Sequence, residues 1–137
     1  MRFEKQIDID REQKAIKMFV SPFKGGFLKL GDNDIDFVVS NAKGENIAYV
    51  EVKGRLKDIQ NAFPLPISVK KLTKLLDKKL NPVIIWACND GIIYAKLNEI
   101  KGIIKIGGRK PRFGSSNDIE LMAYYEDNNN FKKIKNK

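Results

Sequence analysis

Histidine is missing from this sequence altogether, and cysteine occurs once, at Cys88. Without histidine, Ser-His-Asp and Cys-His nucleophile chemistry and His-ligated metals are all excluded. A lone cysteine rules out an internal disulfide and, with no histidine to join it, a protein-ligated structural zinc. Cys88 closes the apolar run Val83-Ile84-Ile85-Trp86-Ala87, where a thiol reads as buried and inert. No run approaches the ~20 apolar residues of a membrane-spanning helix. The opening MRFEKQIDID has no apolar signal-peptide core. A cytoplasmic protein, not a membrane one, is therefore expected. Any catalysis must run on carboxylates, lysines, hydroxyls and a hard cation.

What is abundant is positive charge. The 137 residues carry 26 Lys plus Arg against 17 Asp plus Glu, a formal net charge of +9. Such an excess suits a polyanion, because neutralised phosphates release their counterions. A Lys- and Asn-rich composition alone accounts for part of it, but the basic residues also cluster. The apolar fraction of 42% is ample for one core, and the length suits one domain.

Along the chain, residues 1–9 alternate loosely and read as a short strand or extended lead-in. Asp10 reads as a helix N-cap with Gln13 completing a capping box. The helix runs from about Arg11 to Phe19 and ends at Ser21-Pro22. Its inner face is Glu12, Ala15, Ile16 and Phe19, at helical spacing. Glutamate at the head of an apolar stripe marks either its solvent end or a functional group. Phe27–Leu30, Ile35–Val39 and Ile47–Lys53 read as strands, the last two as an antiparallel hairpin around the turn cluster 41–46.

Phe63-Pro64-Leu65-Pro66 is a rigid connector. Ser68 caps a second helix reaching about Lys79, with Val69, Leu72, Leu76 and Leu80 as its buried stripe. Val83–Cys88 is apolar enough for a strand covered on both faces, and Asn89-Asp90-Gly91 turns it into Ile92–Leu97. Ile103–Ile106 fits an edge strand, 107–116 is a basic glycine-containing loop, and 117–125 is a last segment. The expected fold is α/β: one domain over 1–125 with a mixed central sheet flanked by helices. A polar basic tail, 126–137, is expected to fray.

The chemistry concentrates in the hairpin. With its turn centred between Lys43 and Gly44, residues whose numbers sum to 87 face each other, so Asp36 lies opposite Glu51. Alternation on the strand projects Glu51 and Lys53 to one face together with Tyr49. Opposed Cβ atoms in an antiparallel pair lie ~5 Å apart, so two carboxylates and a lysine converge. Two carboxylates that close repel unless a cation or proton lies between them. An all-oxygen set suits Mg²⁺ or Mn²⁺, and a lysine beside it can orient the attacking water and stabilise charge developing on phosphorus. As bare text, Asp followed by Glu-x-Lys is a weak pattern in so charged a chain, and strand edges often carry solvated Glu and Lys. Placement in phase on adjacent apolar strands is what gives it weight.

On these residues, Asp36 in Gly31-Asp32-Asn33-Asp34-Ile35-Asp36-Phe37 and then Glu51-Val52-Lys53-Gly54-Arg55, the chain resembles the PD-(D/E)XK nuclease superfamily. The likeness covers roughly residues 10–97 and implies a restriction endonuclease-like αβββαβ core. It implies Asp36, Glu51 and Val52 as metal ligands, with catalysis by Asp36, Glu51 and Lys53, the lysine near the nucleophilic water. Archaeal-type Holliday junction resolvases of this superfamily add a glutamate from the first helix, which makes Glu12 the counterpart here. Ile35 stands where the motif usually has proline, and Asp34, on the same strand face, rivals Asp36 as the ligand.

Basic features fill in a DNA surface. Lys70, Lys74 and Lys78 fall one helical turn apart on the second helix with Lys71 beside them, either a solvated face or a phosphate track. Lys70, near the helix start, is the one expected to approach the active site. Arg109, Lys110 and Arg112 sit on the glycine-containing loop, and Arg55 follows the motif directly as a phosphate ligand. Three readings remain open. The first is an Mg²⁺- or Mn²⁺-dependent endodeoxyribonuclease of a bacterial or phage-infected host, acting on branched DNA or as a site-specific or nicking enzyme. Two cuts in a four-way junction would call for a homodimer. The second is a non-catalytic nucleic-acid-binding module on the same fold. The third is a ribonuclease or protein-interaction module of a phage or mobile element.

Overall fold

The computed structural model describes residues 6–31, 35–76, 80–108 and 119–136. Two helices, α1 (Gln6–Val20) and α2 (Val69–Leu76), accompany nine strands among these residues. The strands are β1 (Gly26–Lys29), β2 (Phe37–Ser40), β3 (Asn46–Gly54), β4 (Leu65–Ser68), β5 (Asn81–Cys88), β6 (Gly91–Lys96), β7 (Ile103–Gly108), β8 (Ile119–Tyr125) and β9 (Lys132–Lys135). A mixed central sheet runs β1-β2-β3-β5-β6-β9, and a second, three-stranded sheet runs β4-β8-β7. Only the β3–β5 neighbours are parallel; the other pairs of the central sheet are antiparallel. The expected single α/β domain with a mixed central sheet is what forms, with α1-β1-β2-β3-α2-β5 as its frame and β4 inserted before α2.

Alternation along the central strands divides the core in two. Val83, Ile85 and Ala87 of β5 join Ala48, Val50 and Val52 of β3 under Ala15, Ile16 and Val20 of α1. Ile84 and Trp86 point the other way, into a cluster with Leu72 and Leu75 of α2 and with Leu65, Ile67, Ala123 and Tyr125 of the second sheet. A strand sandwiched between apolar layers must be apolar on both faces, which is why Val83–Cys88 reads as one continuous run. The Trp86 indole N–H donates to the Pro66 carbonyl at 2.9 Å, so the buried ring leaves its polar atom satisfied.

Four expectations differ from what forms. α1 begins at Gln6, not after Asp10. The loose alternation of residues 7 and 9 is not a burial pattern, since Ile7 is 63% exposed. Helical pairings hold the extra turn: Gln6 Nε2 donates to Asp10 Oδ1 at 2.8 Å and Arg11 to Asp8 Oδ1 at 3.1 Å. The segment 65–68, read as connector, is strand β4, paired antiparallel with β8. On α2 the buried positions are Leu72 and Leu75, while Leu76 is 61% exposed. Ser68 does cap this helix, its Oγ accepting the Lys71 backbone N–H at 3.2 Å. The stretch read as a frayed tail supplies β9, an edge strand on β6, and Phe131 just before it packs in the core at 6.0 Å from Trp86.

Candidate active site

The hairpin that carries the acidic pair has the expected register. Phe37 pairs with Val50, Val38 with Tyr49 and Val39 with Ala48, and only at Ser40–Asn46 does a bulge shift the count. The bulge lies at the turn end, away from Asp36. The turn is held by the Asn41 side chain, whose Oδ1 accepts the backbone N–H groups of Lys43 and Glu45. Gly44 takes a positive φ of 85° there, which glycine adopts without strain.

Beyond the last paired residues, Asp36 turns its carboxylate onto β3: Oδ2 accepts the Val52 N–H at 2.8 Å. On an extended strand a residue's N–H and C=O point to the same edge, so the Val52 carbonyl projects toward Asp36 as well. Glu51, on the opposite face of β3 from Val50 and Val52, is the one buried charged or polar residue among the described residues, at 4% exposure. Its Oε1 has no hydrogen-bond partner there. Its Oε2 lies 3.6 Å from the Lys71 ammonium. The Glu51 carboxyl is raised from 4.5 to about 8: burial lifts it most, the neighbouring Asp36 charge lifts it too, and Lys71 offsets part of the rise.

These groups line a cavity of about 380 Å³ between the carboxyl end of β3, the start of α1, α2 and the second sheet. Glu12 and Lys53 reach it too, so it brings together Asp36, Glu51, Val52, Lys53, Glu12 and Lys71 of the residues named from sequence. Lys53 is exposed at its mouth, and Glu12 pairs with Lys29 at 3.7 Å. Five carboxylates (Asp8, Glu12, Asp36, Glu51, Glu120) face three cations (Arg11, Lys53, Lys71) in the cavity wall. The cavity is thus acidic inside a protein whose net charge is +9.

Other candidates lie elsewhere. Arg55 does not line the cavity: its Nε donates to the Ala62 carbonyl at 2.9 Å and its Nη2 to Pro64 at 3.3 Å, tying down the loop after β3. Lys70 and Lys74 border a separate exposed depression with Thr73 and Leu76. It is Lys71, not Lys70, that faces the carboxylates, and the physical reason is the helix face. Burying Leu72 and Leu75 rather than Leu76 rotates Lys71 inward. Asp34, Lys78, Arg109, Lys110 and Arg112 lie outside the described residues. Sequence reading missed Asp8, because residues 1–9 were read as extended, gave no role to Arg11 at the start of its helix, and missed Glu120. Glu120 alternates with Leu121 on β8, a strand with no local signal of which face meets the site.

Among the described residues no group of three or more His, Cys, Asp or Glu side chains is arranged to hold a metal ion. A pair of carboxylates with a backbone carbonyl nonetheless matches the chemistry of a hard cation that keeps water ligands and accepts phosphate oxygens. Glu51 Oε1, buried without a partner, is the atom that argues for such an occupant.

A family model described as "Phage putative PDDEXK endonuclease" matches residues 1–134. No curated protein and no solved structure matches the chain. The match spans the acidic hairpin, both helices and the strands as far as Ile134 in β9, nearly the whole chain, and the chain therefore belongs to the phage PDDEXK endonuclease family, a group of the PD-(D/E)XK nuclease type.

Proposed function

We propose that the protein is a divalent-metal-dependent endodeoxyribonuclease that hydrolyses DNA phosphodiester bonds in the cytoplasm of a bacterial or phage-infected host. The observation that carries this reading is the Glu51 carboxylate, buried against Asp36 with Oε1 unpartnered. Asp36, Glu51 and the Val52 carbonyl would hold Mg²⁺ or Mn²⁺. A bound ion supplies Lewis-acid polarisation of the phosphate and a water acidic enough to attack at neutral pH. Lys53, exposed at the mouth, orients that water and stabilises negative charge developing on the phosphoryl oxygens. Glu12 adds a carboxylate from α1 at the same cavity. Lys70 and Lys74, on the outer face of α2, track the DNA backbone, as do Arg109, Lys110 and Arg112 beyond the described residues.

Plasmid DNA and a synthetic four-way junction, each incubated with Mg²⁺, Mn²⁺ or EDTA, test the reading. Cleavage is expected with metal and not with EDTA. Asp36→Ala and Lys53→Ala are expected to lose at least ~10³-fold in rate, of the size seen when a group stabilising the transition state is removed. Lys53→Ala should still bind DNA. Preferential cutting of the junction, with a dimer in solution, assigns branched DNA; plasmid nicking by a monomer assigns a nickase. Salt-sensitive binding that yields no product with either metal overturns the enzyme and leaves a binding module.

A further inference from the structure

We infer that Lys71 is the resident counter-ion of the active-site carboxylates, holding the place of the divalent cation and yielding it to become a contact for substrate phosphate. The inference rests on the metal-dependent reading above and deepens it. Three observations converge on this residue. Its ammonium lies 3.6 Å from Glu51 Oε2, across from the unpartnered Oε1. It descends from the first turn of α2, whose start is pinned by the Ser68 cap on Lys71's own backbone N–H. Two nearby cations are engaged with other carboxylates, Arg11 with Asp8 at 3.1 Å and Lys29 with Glu12 at 3.7 Å, and Lys53 is exposed at the mouth.

The physical argument is one of charge. Asp36 and Glu51 repel each other in a buried site and need positive charge between or beside them. Lys71 supplies one unit from the wall. A divalent ion brings two, and so is repelled by the ammonium twice as strongly as a proton at the same carboxylates. Removing the ammonium therefore favours the divalent ion over the proton, and metal binding tightens even though the bare carboxylates also hold their proton more firmly. Once the carboxylates are neutralised, the ammonium loses its partner while remaining tethered to the cavity wall. It then meets the next anion to enter, which is a phosphodiester.

Titration calorimetry of the whole chain with Mn²⁺, without DNA, reads this directly. Lys71→Met is expected to bind Mn²⁺ about tenfold more tightly than the unaltered protein, one decade on the affinity scale. Lys71→Arg, which keeps the charge, should bind within about twofold of it. Duplex binding in Ca²⁺ should weaken in Lys71→Met, its salt dependence falling by about one phosphate contact. Should Lys71→Met fail to fold by circular dichroism, Lys71→Gln, whose amide still reaches a hydrogen bond, carries the same expectation. Lys71→Met binding Mn²⁺ no more tightly, or Lys71→Arg tightening with it, overturns the inference. If at the same time Asp36→Asn abolishes Mn²⁺ binding, the metal-dependent reading stands and only the role of Lys71 falls. If the unaltered protein takes up no Mn²⁺, the metal-dependent reading fails first and this one with it.

Discussion

The two faces of strand β3 differ in what they are built for. Toward α1, Ala48, Val50 and Val52 are buried among aliphatic and aromatic neighbours, with no buried polar side chain on that face among the described residues. Toward α2 and the second sheet, Tyr49, Glu51 and Lys53 run from the edge of the core into an acidic cavity. One face gains stability from apolar area removed from water. The other gives some of it up by burying a carboxylate with one oxygen unpartnered. Placing both on one strand keeps Glu51 and Lys53 in fixed positions, because the layer behind them fixes the backbone that presents them.

The contrast can be tested from either side, beginning with the larger effect. Ile85, on the α1 side of β5 and fully buried, is expected to cost about 2–5 kcal/mol on replacement by alanine, read by urea unfolding. A loss below ~1 kcal/mol would mean that this face does not bear the stability assigned to it.

The second test concerns Glu51. Its carboxyl is raised in the folded protein from 4.5 to about 8. A raised folded value means stability that is fully present below the unfolded value and lost as pH rises through the folded one. In EDTA, melting temperature should therefore decline between pH 5 and pH 9, and the decline should be smaller in Glu51→Gln. Each unit is worth about 1.4 kcal/mol, so even half of the displacement makes the glutamine variant ~2 kcal/mol more stable at the alkaline end, relative to pH 5. Parallel melting curves for the two proteins would show that Glu51 ionises without penalty. The smallest expected effect is at the helix that closes the cavity: Ser68→Ala should cost about 1 kcal/mol through its lost cap, measured by thermal melting. An unchanged melting temperature would mean that the α2 start is held by packing alone.

Local chemistry made the acidic hairpin legible. Asn41 and Gly44 specify the turn, β-branched residues specify the strands, and a two-residue period sends Glu51 and Lys53 to one face. The same logic held for β5 and β6, joined at Asn89-Asp90-Gly91. It failed for α2, where Leu75 and Leu76 are chemically equivalent and only the sheet beneath selects between them. A turn of about 100° per residue separates those two faces, and with them Lys71 from Lys70.

The sequence by itself determined that the core is an α/β domain, that no histidine takes part, and that positions 36, 51 and 53 share a face. These follow from residue type and from pairings within a short stretch of chain. The tertiary structure alone decided that β4, β7 and β8 form a second sheet roofing the site, that residues 132–135 close the central sheet on β6, and that Lys71 meets Glu51. Each of those depends on contacts between segments far apart in the chain. Local propensity is indifferent to such contacts, and only the joint burial of the whole apolar surface selects among them.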